Sequence, residues 1–70
     1  MAAQPQIPHS ILRRKQVEAR TGLARSTIYQ HIRTGVFPKP IKLGAKSVGW
    51  IEAEINAWLN KQIENSRDVQ

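Results

Sequence analysis

Cysteine is absent from this chain of 70 residues, so no disulfide can support its fold and no thiolate is available as a nucleophile or metal ligand. Aromatic residues make up only 6% of the sequence. A domain of this size buries only about 60% of its unfolded surface, which leaves no room for an enclosed substrate cavity beside a core. No apolar run approaches the roughly 20 residues that a membrane span requires. We therefore expect one small domain that has no membrane segment and is stabilised by apolar packing.

Acidic residues are scarce as well, and four of the five lie in the C-terminal part of the chain. Residues 1–48 carry nine lysines and arginines against one glutamate, a net charge of +8, whereas residues 49–70 carry two against four acids, a net charge of −2. A basic front and a mildly acidic end are typical of a small nucleic-acid-binding protein, although a merely soluble basic protein has the same composition. Residues 1–10 lack the basic start and apolar core of a secretory signal, so a cytoplasmic, nucleoid-associated protein is the default expectation.

The segment from residue 20 to residue 35, RTGLARSTIYQHIRTG, is the most informative part of the chain. A short first helix is predicted over 13–21, and Gly22 can adopt the left-handed conformation that reverses the chain cheaply. A second helix is predicted from about 24 to 34, where Gly35 ends it. This pattern is typical of a helix-turn-helix, whose second helix enters the major groove of DNA.

The second predicted helix has two chemically distinct faces. Ile28 and Ile32 are four residues apart and share the face that would pack on the core. The other face is polar, basic and aromatic, and it lacks acids, which suits contacts with bases and phosphates; the ordinary alternative is a polar face that meets water. Thr27 fits an inward-packed, capping role equally well, and Tyr29 is expected as a partly buried ring whose hydroxyl reaches a phosphate. The candidate DNA-binding residues of this helix are Arg25, Ser26, Thr27, Tyr29, Gln30 and Arg33.

The segment after the second helix favours a short β-hairpin. Pro38 and Pro40 exclude a helix there, and residues 41–43 and 47–50 read as two strands around a turn at 44–46. In a winged helix such a hairpin touches the DNA backbone, a role that suits lysine as a point charge; the alternative is that the lysines block pairing of an edge strand. The candidate backbone contacts are Lys39, Lys42 and Lys46 in the wing segment and Arg14 and Lys15 in the first helix.

Apolar spacing also predicts a final helix from residue 51 to about 64. Glu52 and Glu54 fall in its first turn, where the helix dipole favours acids. Trp50 and Trp58 are interpreted as core residues, although exposed aromatics can also stack on bases. The predicted core comprises Val17, Leu23, Ile28, Ile32, Trp50, Ile55, Trp58 and Leu59.

Together these elements predict a mainly α fold with a small β-hairpin, a winged helix-turn-helix of three helices plus a two-stranded wing. Residues 1–10 are expected to form a flexible arm, residues 11–64 the DNA-binding domain and residues 65–70 a frayed tail. His9 and His31 have no partner at ligand spacing, and no nucleophile has a base and an orienting group beside it. Neither a metal site nor a cofactor nor enzymatic activity is therefore expected.

Three segments taken together, LRRKQVEARTGLARSTIYQHI, FPKPIKLG and VGWIEAEINAWL, resemble the AlpA family of prophage regulatory proteins over residues 12–63. The resemblance implies a winged helix-turn-helix related to excisionases and to the DNA-binding part of MerR-type regulators, with a wing near 44–46. Where family members often carry serine, this chain has Ala24, so the helix cap moves to Ser26 or is lost, at a cost of about 1 kcal/mol. The recognition-helix positions that the resemblance implies are Arg25, Ser26, Thr27, Tyr29 and Arg33.

The expected function is sequence-specific binding of double-stranded DNA by a bacterial or prophage transcriptional regulator. An excisionase-like architectural factor, which bends attachment-site DNA for a recombinase, needs the same surface and is the alternative. A protein-interaction module that uses the acidic last helix is a third, less favoured hypothesis. The expected partners are double-stranded DNA and, beyond it, an integrase or RNA polymerase, with no small-molecule substrate. The last helix is too short for the dimerising coiled coil of MerR-type regulators, so we expect a monomer in solution that can associate on DNA.

Overall fold

The structure, a computed structural model, describes residues 10–68 and contains three helices and three short strands. This mainly helical arrangement with a small sheet is a winged helix-turn-helix, which confirms the predicted fold class. The arm expected at residues 1–10 lies outside the described residues, except for Ser10. The elements in chain order are β1 (Ile11–Leu12), α1 (Arg14–Thr21), α2 (Arg25–Thr34), β2 (Ile41–Lys42), β3 (Val48–Ile51) and α3 (Glu52–Asp68).

Two glycines end the helices of the helix-turn-helix. Gly22 follows α1 with a φ of 74°, and Gly35 follows α2 with a φ of 82°. Both lie in the left-handed region, where a residue with a Cβ is disfavoured. The Gly22 N–H donates to the carbonyl oxygen of Glu18 at 2.8 Å, which satisfies one of the last carbonyls of α1. These two positions set the angle between α1 and α2 and the point at which α2 stops.

The first turn of α2 has no side-chain cap. The N-cap position is Ala24, and no side chain of the described residues bonds to the free N–H groups there. The cap is therefore lost rather than moved to Ser26, which lies inside the helix as its second residue. The N–H groups of the first turn remain available to an acceptor from outside the chain.

The predicted hairpin is present as β2 and β3, and a third strand adds to it. The strand order is β1-β3-β2, with both pairings antiparallel. Ile11 pairs with Ile51 on one side of β3, and Ile41 pairs with Gly49 on the other side. The sequence indicated only an apolar pair at residues 11–12, because two residues are too few to show the alternation of a strand.

Gly49 allows the three strands to lie close together. A Cβ at this position would be 2.5 Å from Cγ2 of Ile11, 2.9 Å from Cδ1 of Leu43 and 3.2 Å from the carbonyl oxygen of Leu12. These distances are shorter than van der Waals contact. A larger residue in the middle strand would therefore require the Ile11 and Leu43 side chains to move and would crowd the backbone of β1.

The core forms where the sheet meets the three helices. Val17, Ile28, Trp50 and Ile55 are fully buried, and Leu12 and Phe37 are nearly so. The other predicted core residues are half-buried against this cluster: Leu23, Ile32, Trp58 and Leu59.

Both tryptophans pack with their indole N–H groups satisfied. Trp50 donates to the carbonyl oxygen of Pro38 at 3.0 Å, and Trp58 donates to that of Val36 at 2.6 Å. The Trp58 ring also meets Phe37 edge to face, with 4.8 Å between ring centroids. These contacts fasten the segment between α2 and β2 to β3 and α3.

The last helix is longer than predicted. It continues to Asp68 rather than ending near residue 64, so the frayed tail is corrected for residues 65–68. The segment Asn65–Ser66–Arg67–Asp68 contains neither glycine nor proline, so nothing in it stops a helix that has already formed. Among residues 10–68, none of the helices is long and apolar enough to cross a membrane.

Candidate nucleic-acid interface

The outer face of α2 is exposed, polar and free of acids. Arg25, Ser26, Gln30 and Arg33 are exposed, whereas Ile28 on the opposite face is fully buried. Helical periodicity produces this separation, because residues four apart share a face. The structure thus brings the predicted groove-facing side chains together on one convex surface.

Tyr29 connects this face to the core. Its ring is half-buried and meets Trp50 edge to face, with 6.3 Å between centroids and an interplanar angle of 64°. The guanidinium carbon of Arg25 lies 6.0 Å from the centre of the Tyr29 ring. The fully buried Trp50 supports the Tyr29 ring, and the Arg25 guanidinium lies over that ring at the outer limit of a cation–π contact.

Thr27 is half-buried, and Ala24 rather than Thr27 occupies the cap position of the helix. Its side chain lies between the exposed face and the core. Ile28, the next residue, turns fully inward. Thr27 therefore does not cap the helix, and by helical geometry it lies about 100° around the helix axis from both Ser26 and Ile28, between the two faces.

The wing presents exposed lysines on a short closed loop. The Leu43 N–H donates to the carbonyl oxygen of Ser47 at 2.8 Å, and the Gly44 N–H donates to the same oxygen at 3.3 Å. Lys42 at the end of β2 and Lys46 in the loop are both exposed. The shared acceptor keeps the loop tight, so Lys46 is held near the start of β3.

A depression lies between the start of α1, the middle of α2 and the wing. Val48 of β3 forms part of its wall, and four basic side chains and one tyrosine form the rest. The residues that line it are Arg13, Arg14, Lys15, Tyr29, Lys46 and Val48. The structure thus places Arg14, Lys15, Tyr29 and Lys46, which the sequence named as separate backbone contacts, around one concave surface.

Arg13 is a member of this group that sequence reasoning missed. Its Nε donates to the carbonyl oxygen of Val48 at 3.1 Å, and its backbone N–H donates to Oε1 of Gln16 at 2.8 Å. The run Arg13–Arg14–Lys15 is basic throughout, but the partner of Arg13 is 35 residues away in the chain. Local spacing could not distinguish it from its neighbours.

Two further basic residues, Arg20 and Lys39, lie outside this depression. Arg20 donates to Oε2 of Glu52 at 2.5 Å and to Oδ1 of Asn56 at 3.2 Å, so it joins α1 to α3. Lys39, predicted as a backbone contact, lines a groove with Trp58 and Lys61 of α3 rather than the depression that contains Lys46. Within residues 10–68, no group of three or more histidines and acids could hold a metal ion.

Sequence comparisons match the chain to one family and to proteins of bacterial and phage origin. The family model described as "Prophage CP4-57 regulatory protein (AlpA)" matches residues 10–63. The "DNA-binding transcriptional activator AlpA" of Escherichia coli (strain K12) is 48% identical over 58 residues, which cover 74% of this chain and 83% of that protein. The "Uncharacterized protein ORF88" of Enterobacteria phage P4 is 46% identical over 52 residues, which cover 74% of this chain and 59% of that protein.

Proposed function

This chain belongs to the AlpA family of prophage regulatory proteins, and we propose from that premise that it is a sequence-specific double-stranded DNA-binding protein that regulates transcription. The observation that carries the proposal is the acid-free, exposed face of α2 beside a concave surface lined by four basic side chains. A helix that follows a glycine turn and carries such a face has the shape and charge that the major groove accepts.

The side chains of α2 divide into base-reading and phosphate-holding groups. Arg25 and Arg33 are exposed, and the paired N–H donors of a guanidinium match the O6 and N7 acceptors of guanine. The side-chain amide of Gln30 matches the N6 donor and N7 acceptor of adenine. Ser26, Thr27 and Tyr29 carry hydroxyls at the start and side of the helix, where phosphate oxygens pass. In this arrangement the arginines and the glutamine determine which base sequence is bound. The hydroxyl groups fix the position of the protein along the DNA backbone.

The cations outside α2 are proposed to hold the sugar-phosphate backbone. Lys46 and Lys42 lie on the wing, and Arg14 and Lys15 begin α1. Lysine and arginine at these positions neutralise phosphates irrespective of the base sequence. Lys39 is an exposed cation in the segment before the wing and is proposed as an additional backbone contact.

We propose a regulatory rather than a catalytic role for this surface. A relative with 48% identity is described as a transcriptional activator, and the α2 face offers contacts to DNA but no arrangement of nucleophile and base. We propose that the protein acts on the bacterial nucleoid in the cytoplasm, binds as a monomer and can associate with further copies on DNA. We also predict a protein partner on the DNA: RNA polymerase at a promoter, or an integrase at an attachment site.

Footprinting on two fragments tests the proposal. One fragment lies upstream of the protein's own gene, and the other contains the nearest integrase attachment site. We expect protection of a defined sequence that competitor DNA of random sequence does not remove. A bend at several adjacent sites in the attachment fragment would favour the excisionase-like alternative, and equal affinity for all sequences would contradict sequence-specific regulation.

A further inference from the structure

The depression between α1, α2 and the wing collects positive charge from distant parts of the chain. Arg13, Arg14 and Lys15 come from the start of the domain and Lys46 from the wing, and Tyr29 of α2 lies between them. The antiparallel pairing of β1 with β3 brings Arg13, which follows β1, beside Val48 and the wing loop. Their convergence is a property of the tertiary fold, and no local motif contains it.

The charge in this depression is only partly neutralised by the protein. Arg14 forms an ion pair with Glu18 at 2.6 Å. Lys15 and Lys46 form no ion pair with any residue in the described range 10–68. Counting the ion pairs within residues 10–68, the depression therefore carries an excess of positive charge, which favours binding of an anion.

Arg13 is held in an orientation that suits such an anion. Its Nε is bonded to the Val48 carbonyl, which leaves the two Nη groups of the guanidinium for another acceptor. Its backbone is fixed by Gln16 at the start of α1. A guanidinium that is already oriented forms a bidentate pair with a phosphate without first losing its side-chain freedom.

Resting on the proposed function, we infer that this depression is the binding site for one phosphodiester group of the DNA backbone, with the Arg13 guanidinium as its bidentate ligand. Lys46 contributes a second positive charge from the wing. Since Val48 lies opposite Lys42 in the wing hairpin, the Arg13–Val48 bond also fixes the wing relative to α1. Arg13 is thus both a phosphate ligand and a positioning residue for the wing.

Three variants test the role of Arg13 on a specific duplex and on a random-sequence duplex of equal length. We expect Arg13→Ala to weaken binding to both duplexes alike, by about tenfold, and to reduce the slope of log affinity against log salt by about 1. Arg13→Lys should restore the slope but not the full affinity, because it keeps the charge and loses the fork. Lys61→Ala removes one exposed charge from α3 and should leave slope and affinity unchanged.

Duplexes in which a single phosphate is replaced by a neutral methylphosphonate locate the contact. At one position the replacement should weaken binding of the wild-type protein about tenfold and leave binding of Arg13→Ala almost unchanged. The effect at the same position should be smaller in Lys46→Ala than in the wild type but should persist, because Arg13 still contacts the phosphate. Circular dichroism should give the same helix content for all variants, which separates loss of a contact from loss of the fold.

An unchanged salt slope in folded Arg13→Ala would overturn the inference, and so would the absence of any methylphosphonate position that the variant ignores. Full recovery of affinity in Arg13→Lys would overturn the bidentate role. These outcomes differ from failure of the proposed function, in which the wild-type protein itself would show no preference between the specific and the random duplex.

Discussion

Helices α2 and α3 carry apolar residues at the same spacing, but their outer faces differ in charge. Ile28 and Ile32 point α2 toward the core, and Ile55 and Leu59 do the same for α3. The exposed face of α2 has two arginines and no acid, whereas α3 exposes both signs of charge along most of its length. Within residues 52–67 the exposed charged residues are Glu54, Lys61, Glu64 and Arg67.

The inner faces of the two helices stabilise the fold, whereas the outer face of α2 is the one that we propose binds DNA. Both helices contribute to one buried cluster, so their inner faces are constrained by packing. Their outer faces are free of that constraint, and the exposed, acid-free side chains on α2 are the ones that we propose read bases. Substitutions on the inner faces should therefore change stability, and those on the outer face of α2 should change DNA binding alone.

The largest expected effect is on the shared core. Trp50→Ala should lower the free energy of unfolding by about 3–5 kcal/mol, because it removes a fully buried indole that contacts both helices through the core cluster. Trp58→Ala should cost less, since Trp58 is only half-buried. Urea denaturation followed by circular dichroism measures both values. A Trp50→Ala protein with wild-type stability would show that α2 and α3 do not depend on one core.

The next effect is on the outer face of α2. Arg33→Ala and Arg25→Ala should each weaken specific DNA binding by about 1–3 kcal/mol if the arginine contacts a base. Both residues are exposed, so the stability should change little. Fluorescence anisotropy with specific and random duplexes measures the effect, and Lys61→Ala on α3 is the matched control. If both arginine variants bind as tightly as the wild type, the recognition face is assigned wrongly.

A smaller and more uniform effect is expected on the wing. Lys46→Ala removes an exposed charge from the concave surface beside α2, so it should weaken binding to every sequence alike and reduce the salt slope by about 1. Affinities measured between about 50 and 200 mM salt give this slope. An unchanged slope would contradict backbone contact by the wing.

The smallest effect concerns the ion pair that joins α1 to α3. Arg20→Ala removes the contacts with Glu52 and Asn56, but Arg20 and Glu52 are both partly exposed, so we expect a loss of only about 0.2–1 kcal/mol of stability. DNA binding and its salt slope should not change. A reduced slope in Arg20→Ala would mean that this arginine also contacts the backbone, and the division between the two helices would then be incomplete.

The helix-turn-helix could be predicted because its signals are local. Gly22 and Gly35 end the helices next to which they stand, and the four-residue spacing of Ile28 and Ile32 identifies the inner face of α2. The acid-free outer face follows from the same periodicity. Each of these features is caused by residues that lie within a few positions of one another in the sequence.

Features that depend on distant partners could not be predicted in the same way. Strand β1 exists because β3 pairs with it. Arg13 and Arg20 look alike in the sequence, yet one binds the Val48 carbonyl beside the wing and the other binds Glu52 of α3. Their roles are set by residues more than 30 positions away, beyond the reach of helix and strand periodicity.

The pairing of Ile11 with Ile51 has a consequence for how the protein is made. It closes a loop of about forty residues, and contacts between such distant positions form later in folding than those within a helical hairpin. During synthesis α1 and α2 leave the ribosome before β3 and α3 do. The Ile28 side chain therefore stays exposed to solvent until Trp50 and Ile55 have been synthesised and can pack against it. We expect the nascent helix-turn-helix to acquire stable structure only when the end of the chain has emerged.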